Sequence, residues 1–370
     1  MTATRSGRIQ VLALTPIPEE GAGCRFRVSQ YIPYLRDAGF DVTVSPFYSR
    51  EYFGIVYRPG NYVRKVLGFI ALTWRRWREL HSIPRYDVVL LYREAIPIGP
   101  PIVERWIHRL GIPIVYDFDD AIFLPAVSEA NKAVSFLKNP ERVSEILKIS
   151  QQVTVGNEFL AGYARRFNSH VTVIPTVVDT NRFVPRSSAG SDGTRKLVVG
   201  WIGSPTTFRY LESLKDVLAA VAARHPFTLK VSGAGRPVDF PGVDVQVAPW
   251  SMADEVSLFN TCDIGVYPLT DDDWSRGKCG FKAIQCMACG VPVVAAAVGV
   301  NREIITHGVN GMLASTPHEW IEHLSVLLTN AELRRSMAVA GRQTIEARYS
   351  LRVTAPQLAA VLTAAAQPQS

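Results

Sequence analysis

Cysteine is scarce. There are five in 370 residues, an odd number in a long chain, which excludes a disulfide framework as the basis of the fold. Three of them, Cys279, Cys286 and Cys289, are close in sequence. A zinc site wants a fourth ligand and usually a paired C-x-x-C, and neither is evident. Their spacing instead predicts small buried residues along a helix. Long apolar runs are also missing. Stretches such as Val291 to Val300 fall well short of the roughly 18 residues that a membrane-spanning helix needs. No secretory leader is expected, because the run Ile9 to Leu14 is short and meets Pro16, Pro18, Glu19 and Glu20. No short repeat is present. Basic residues are dispersed, without an aromatic-basic recognition motif, so nucleic acid is not an expected partner. These absences predict a cytoplasmic protein, with attachment to a membrane surface still open.

The remaining composition is that of a globular protein, 47% hydrophobic and 20% charged. A chain of this length exceeds one ordinary core, which predicts two domains. The formal net charge of +7 favours an anionic partner. Nucleotides, nucleic acid and anionic lipid all satisfy it.

The stretch from Trp274 to Asn301 organises the chain. A basic loop, Ser275 to Gly280, feeds a helix predicted over Phe281 to Cys289. Gly290 stops the helix, and a buried strand follows over Val291 to Ala297. A loop entering a helix N-terminus presents unpaired N–H groups and partial positive charge, which suits an anion. Lys278 and Lys282 add full charges there.

The rest of the chain alternates strand and helix. In the first half, strands are expected at Ile9 to Leu14, Val42 to Val44, Tyr86 to Tyr92, Ile112 to Tyr116, Val153 to Val155 and Val171 to Ile174. Helices are expected at about Phe26 to Ala38, Ile102 to Leu110, Ser128 to Ser150 and Glu158 to Phe167. In the second half, strands are expected at Leu197 to Ile202, Phe227 to Val231, Val243 to Val247 and Ile264 to Tyr267. Helices are expected at Leu211 to Ala223, near Met252 to Asn260, and at Ala331 to Arg348 and Val353 to Ala366. Such alternation predicts α/β architecture with parallel, doubly wound sheets. Ligands of these sheets bind at the C-terminal strand ends. The expected division is an N-terminal domain over 1–185, a polar linker over 186–196, a C-terminal domain over 197–350 and a last helix over 351–370.

Two further segments stand out. In Asn61 to Leu80 the apolar residues Val63, Val66, Leu67, Ile70, Trp74 and Trp77 recur at helical spacing. Arg64, Lys65, Arg75, Arg76 and Arg78 fall mainly on other faces. This pattern fits an interfacial helix on an anionic membrane. It equally fits a surface helix whose apolar face covers the core. The second segment is Tyr116-Asp117-Phe118-Asp119-Asp120 at a strand end. Its carboxylates suit acid–base work, orientation of a hydroxyl, cation binding or, more simply, the capping of a turn.

Several motifs occur in one order: Gly203-Ser204-Pro205, Asp263 to Leu269, Met287-Ala288-Cys289-Gly290-Val291-Pro292-Val293-Val294 and Gly308 to Leu313. Together they resemble the C-terminal domain of family 4 of the retaining, nucleotide-sugar-dependent glycosyltransferases, of GT-B fold. Pro16 to Gly23 resembles that family's glycine loop after the first strand. The resemblance implies two Rossmann-like lobes facing each other across a cleft. The C-terminal lobe would hold a nucleoside diphosphate sugar and the N-terminal lobe the acceptor, a glycan, a lipid-linked molecule or a small molecule. The last helix would return to the N-terminal lobe. No tightly bound metal is implied. Basic side chains and helix-end N–H groups would stabilise the leaving diphosphate. The resemblance puts Gly203, Ser204, Thr207, Arg209, Gly280, Phe281, Lys282 and Gln285 at the donor and Gly21, Gly23 and Arg25 in the N-terminal glycine loop; Asp117, Asp119 and Lys278, where this chain differs from the family, are its own candidates for the chemistry.

The chain departs from the family at several points: Ser204, Thr206, Thr207 and Arg209 stand in the stretch where an Arg and Lys pair is usual, and Asp117, Asp119 and Asp120 lie in the region where a histidine is often found. Gly277 and Gln285 replace a pair of glutamates, the second of which usually accepts from the ribose hydroxyls. Lys278 stands where glycine is common. Two expectations follow: an active sugar transferase, or a catalytically weak module of the same fold that binds nucleotide or glycan within an assembly.

Overall fold

The computed structural model describes residues 7–58, 60–124, 141–186 and 195–367. The chain forms two compact units, one of residues 1–176 with 354–370 and one of residues 177–353. Contacts therefore divide the chain at Thr176, ahead of the expected linker, and most of 186–196 lies outside the described residues. The last helix, Leu351–Ala366, joins the first unit from Thr354 onward. There the Thr354 hydroxyl lies 2.9 Å from that of the buried Tyr31.

The first unit is built on β1 (Ile9–Thr15), β2 (Phe40–Pro46), β3 (Val88–Tyr92), β4 (Ile114–Phe118), β5 (Gln152–Val155) and β6 (Val171–Val173). They form one parallel sheet of order β2-β1-β3-β4-β5-β6. Every residue of β3 and β4 is buried, as a strand covered on both faces requires. The second unit repeats the plan with β7 (Leu197–Ile202), β8 (Phe227–Ser232), β9 (Asp244–Ala248), β10 (Ile264–Tyr267), β11 (Val293–Ala296) and β12 (Met312–Ala314). Their order is β12-β11-β10-β7-β8-β9, again all parallel. In each sheet the chain leaves the first strand toward one edge and returns to its other side. That reversal falls between β1 and β3, and between β7 and β10. Loops part at such a point and leave a crevice beyond the C-terminal strand ends.

Several elements differ from expectation. The helix expected over 26–38 is broken into Ala22–Arg27, a 3-10 turn at Ser29–Tyr31 and Ile32–Asp37. Pro33 explains a restart: it lacks an N–H and its ring crowds the carbonyl four residues back, so it is tolerated only in a first turn. The basic loop after β10 contains a helical turn, Asp273–Arg276, because Asp272 caps it by accepting from the Ser275 N–H at 2.7 Å. The helix Pro317–Thr329 and strand β12 were not expected from the sequence. The helix Tyr62–Glu79 forms as expected. Its apolar stripe does not cover the core, however. Val63, Val66, Leu67, Ile70 and Trp74 are between 59% and 74% exposed.

Candidate functional site

In the second unit the chain beyond the C-terminal ends of β7 and β10 carries the expected residues. The loop after β7 is tied by its own hydroxyls. Thr207 Oγ1 accepts from the Ser204 N–H at 2.9 Å, and the Ser204 hydroxyl lies 3.0 Å from that of Thr206. This loop packs tightly on the one after β8: a β-carbon at Gly233 would stand 2.3 Å from the Gly203 carbonyl oxygen. Gly233, at φ +85°, thus supplies both the turn and the clearance. Arg209 is exposed on the short helix that follows. Its guanidinium donates to the Tyr210 hydroxyl at 3.1 Å, and Ser275 meets the same hydroxyl at 3.4 Å. The loops after β7 and β10 are thereby joined. Burial acts to raise the Asp272 pKa, but hydrogen bonds from Thr270 and Ser275, with Arg209 adding a smaller share, bring it below its ordinary value.

The loop after β10 then leads into the helix Phe281–Ala288. Lys278 is half-buried, its ammonium 5.6 Å from the centre of the Trp274 ring. Gly280 enters the helix at φ +64°, and a β-carbon there would meet Ile304 Cδ1 at 2.3 Å. Only glycine fits this position on both counts. Lys282 donates to Gln285 Oε1 at 2.8 Å and lies 5.6 Å from the Phe259 ring centre. Gln285 is fully buried and donates through Nε2 to Glu255 Oε1 at 3.1 Å. Glu255, itself 1% exposed, has Arg182 at 3.9 Å from its other oxygen. The Gln285 carbonyl therefore already serves Lys282. A ribose hydroxyl would have to use its remaining lone pair or displace that ammonium. Glu255 and Arg182 were missed in the sequence, because a buried carboxylate on another helix has no local signature. Cys279, Cys286 and Cys289 are all buried, as small helix-packing residues would be. Phe281 is half-buried beside Lys282, 5.9 Å from its ammonium.

In the first unit the register of β3, β4 and β5 puts Asp117 between Tyr92 and Thr154. Asp117 is 3% exposed. Arg27 grips it with two nitrogens, Nε at 2.9 Å and the shorter Nη2 contact, and Thr154 donates at 2.6 Å. Arg27 also donates to the Ile174 carbonyl at 2.6 Å. Burial alone would lower the Arg27 pKa, but Asp117 outweighs it and raises that pKa. This carboxylate is bound on both oxygens by its own protein.

Asp119 lies two residues on, where β4 ends. It accepts from the Tyr92 hydroxyl at 2.8 Å and from Arg93 Nη2 at 2.8 Å. Arg93 bridges to Asp120 as well. Burial acts to raise the Asp119 pKa, and Arg93, with Arg27 behind it, brings it below the ordinary value instead. Arg93 holds this position at φ +58°, which costs a non-glycine residue backbone strain. The glycine loop closes over the same group. A β-carbon at Gly23 would stand 2.1 Å from the Tyr92 hydroxyl, and one at Gly21 would stand 2.4 Å from Ile17 Cδ1. Arg25 is 6% exposed, its guanidinium 4.7 Å from the Phe26 ring centre. Gly21 and Gly23 thus have packing reasons of their own.

Comparison with known proteins follows the same lines. Residues 196–330 match the family model described as glycosyl transferases group 1. The chain is 31% identical over 328 residues to a D-inositol 3-phosphate glycosyltransferase of Thermobispora bispora, which covers 78% of this chain and 73% of that one. A protein of the same description from Salinispora arenicola is 26% identical over 283 residues, 65% of this chain and 60% of its own length. Among solved structures, Anabaena HepE in complex with UDP and glucose superposes with a TM-score of 0.69 at 17% identity, over 96% of this chain and all of the other.

Proposed function

We propose, for this chain, which belongs to the group 1 glycosyl transferases of family 4 and GT-B fold, that it moves a sugar from a nucleoside diphosphate sugar to a hydroxyl acceptor with retention at the anomeric carbon. The second unit takes the donor and the first unit the acceptor, a glycan, a lipid-linked molecule or a small molecule. The observation that carries this reading is the cluster at the C-terminal ends of β7 and β10. Exposed Arg209, half-buried Lys278 and Lys282, and the N–H groups that follow Gly280 all lie on the loops or first turns beyond those strands. A diphosphate leaving group gathers negative charge as the glycosidic bond breaks. Fixed cations and helix-end dipoles stabilise that charge without needing to reorganise. In this reading they take the place of a resident metal. The HepE complex, with UDP and glucose, makes uridine diphosphate the first nucleotide to try.

The test has two steps. A nucleoside diphosphate bound at 100 times its dissociation constant raises unfolding free energy by about 2.7 kcal/mol, which thermal unfolding detects. Product analysis with the matching sugar nucleotide then reads transfer. Lys278→Ala is expected to lower turnover by about 10²–10³-fold, the scale of losing one group that stabilises developing charge. Its melting temperature should stay near that of the parent. Near-normal turnover of this variant would remove Lys278 from the mechanism. Binding without transfer or hydrolysis over a broad panel of donors and acceptors would favour the alternative, a weak or inactive nucleotide-binding module.

A further inference from the structure

A helix on a globular protein ordinarily turns its apolar stripe inward and its charges outward. The helix Tyr62–Glu79 packs Phe69 and Leu72 inward but leaves a second apolar stripe outside. Its inner side carries Phe69, whose ring lies 5.3 Å from that of Phe47, and Gly68, where a β-carbon would stand 2.6 Å from the Tyr52 ring. It also carries the 1%-exposed Arg76, which donates to the Ser45 hydroxyl at 2.9 Å and to Glu79 at 2.8 Å. Arg75 donates to the Phe47 carbonyl at 2.7 Å. The outer side carries Val63, Val66, Leu67, Ile70 and Trp74, the whole set exposed by 59% or more. At 100° per residue these five fall within about a third of the helix circumference. Leaving them in water forgoes burial for each side chain, and a contiguous patch of this kind marks an interaction surface.

The charges say what kind of surface it meets. Arg64 and Arg78 are exposed and border the apolar stripe. Trp74, Arg75 and Arg78, with Ala71 and Glu79, line an open depression of about 450 Å³ at the C-terminal half. An aromatic residue and arginines at the edge of an apolar stripe match the layered chemistry of a bilayer interface: acyl chain beneath, anionic headgroup above. Among the described residues no helix is long and apolar enough to cross a bilayer.

We propose that this helix lies in the surface of an anionic lipid bilayer, with Val63, Leu67, Ile70 and Trp74 among the acyl chains and the exposed Arg64 and Arg78 at the phosphates. The proposal is independent of the transfer reading, because vesicle binding requires no turnover.

Flotation with vesicles tests it. The full chain should float with vesicles of equal phosphatidylglycerol and phosphatidylcholine, should not float with phosphatidylcholine alone, and should be released as salt screens the arginines. Leu67→Glu with Ile70→Glu places two charges on the exposed stripe and should weaken binding at least about tenfold. Both positions are exposed, so the melting temperature should hold. Should that variant unfold, Arg64→Glu with Arg78→Glu replaces it and should abolish the preference for anionic vesicles. A parent that ignores both vesicles overturns the proposal, as does a folded Leu67/Ile70 variant that floats like the parent. A parent dimer that becomes monomeric in the Leu67/Ile70 variant, with no vesicle binding by either, would make the stripe a self-association surface and overturn it as well. Removing Arg75, Arg76 and Arg78 together is a poor substitute, because Arg76 is buried and holds Ser45 and Glu79.

Discussion

The two units use the same sheet plan and treat charge differently at its C-terminal edge. In the first unit the carboxylates of the edge are paired and closed off. Asp117 is held by Arg27 and Thr154, and Asp119 by Arg93 and Tyr92. In the second unit the edge is basic and open: Arg209 is exposed, and Lys278 and Lys282 are half-buried against aromatic faces and an amide oxygen. The difference separates two jobs that look alike in sequence. A carboxylate taken up on both oxygens by its own protein fixes loops in place. A cation resting on a ring face keeps its charge available to an anion. By this reasoning Asp117 positions the first unit's loops, and under the proposed transfer reading the charge that meets substrate would come mainly from the second unit.

The largest effect that would break the comparison is on stability. Arg27→Met leaves the Asp117 carboxylate buried without its guanidinium, and removing one partner of a buried pair costs about 3–5 kcal/mol. Asp117→Asn should also destabilise, though less, since an amide oxygen still accepts from Arg27. Urea denaturation measures both. If Asp117→Asn kept full stability and lost transfer, Asp117 would belong to the chemistry and the contrast between the edges would fail.

The second effect is smaller and concerns the place of the missing glutamate. Gln285→Glu would restore a carboxylate where the family usually has one. Here it would face Glu255, whose oxygen now accepts from Gln285 at 3.1 Å. Two buried carboxylates in contact repel, so the variant should lose about 1–3 kcal/mol and should not gain donor affinity. Adding Glu255→Gln exchanges the two groups and should restore most of that loss. A single variant that is stable and binds donor more tightly would show the glutamine to be a mere weakening. A double-mutant cycle on unfolding free energy decides it.

The frame was more legible in the sequence than the contacts were. Near-continuous apolar runs such as Val88 to Leu91 announce strands buried on both faces, and the alternation with helices gives the doubly wound class. The Gly280 turn and the helix after it could also be read locally. Other signals were present but passed over. Thr316 and Glu319 form a capping box with Pro317 at the first helical position, which marks the start of the helix Pro317–Thr329. The partners of the site residues had no local signal at all. Arg27 and Asp117 are 90 positions apart, and Gln285 and Glu255 are 30 apart. The first pair is brought together by the packing of the helix after β1 over the end of β4, and periodicity carries no trace of it. The direction in which the helix Tyr62–Glu79 faces was likewise undetermined, because the same spacing serves an inward or an outward stripe.

The smallest effect is pH-dependent and concerns the carboxylates of the first unit's edge. Asp119 has a folded pKa below its ordinary value: burial opposes this, and Arg93 brings it about. An unfolded aspartate titrates near about 3.9. Between those two values the unfolded chain binds a proton that the folded chain does not, so stability rises with pH there. The contribution of the Arg93–Asp119 pair is therefore fully present above about pH 4 and is lost as pH falls through the folded value. Asp119→Asn removes the titrating group and should flatten this part of the acid limb while leaving the slope near neutrality unchanged. Denaturation midpoints at a series of pH values from neutral to acid, for parent and variant, measure it. Coincident acid limbs would mean that Arg93 does not hold Asp119 in solution. The positive φ at Arg93 would then lack the ion pair that offsets its strain, and the first unit's edge would be as open as the second's.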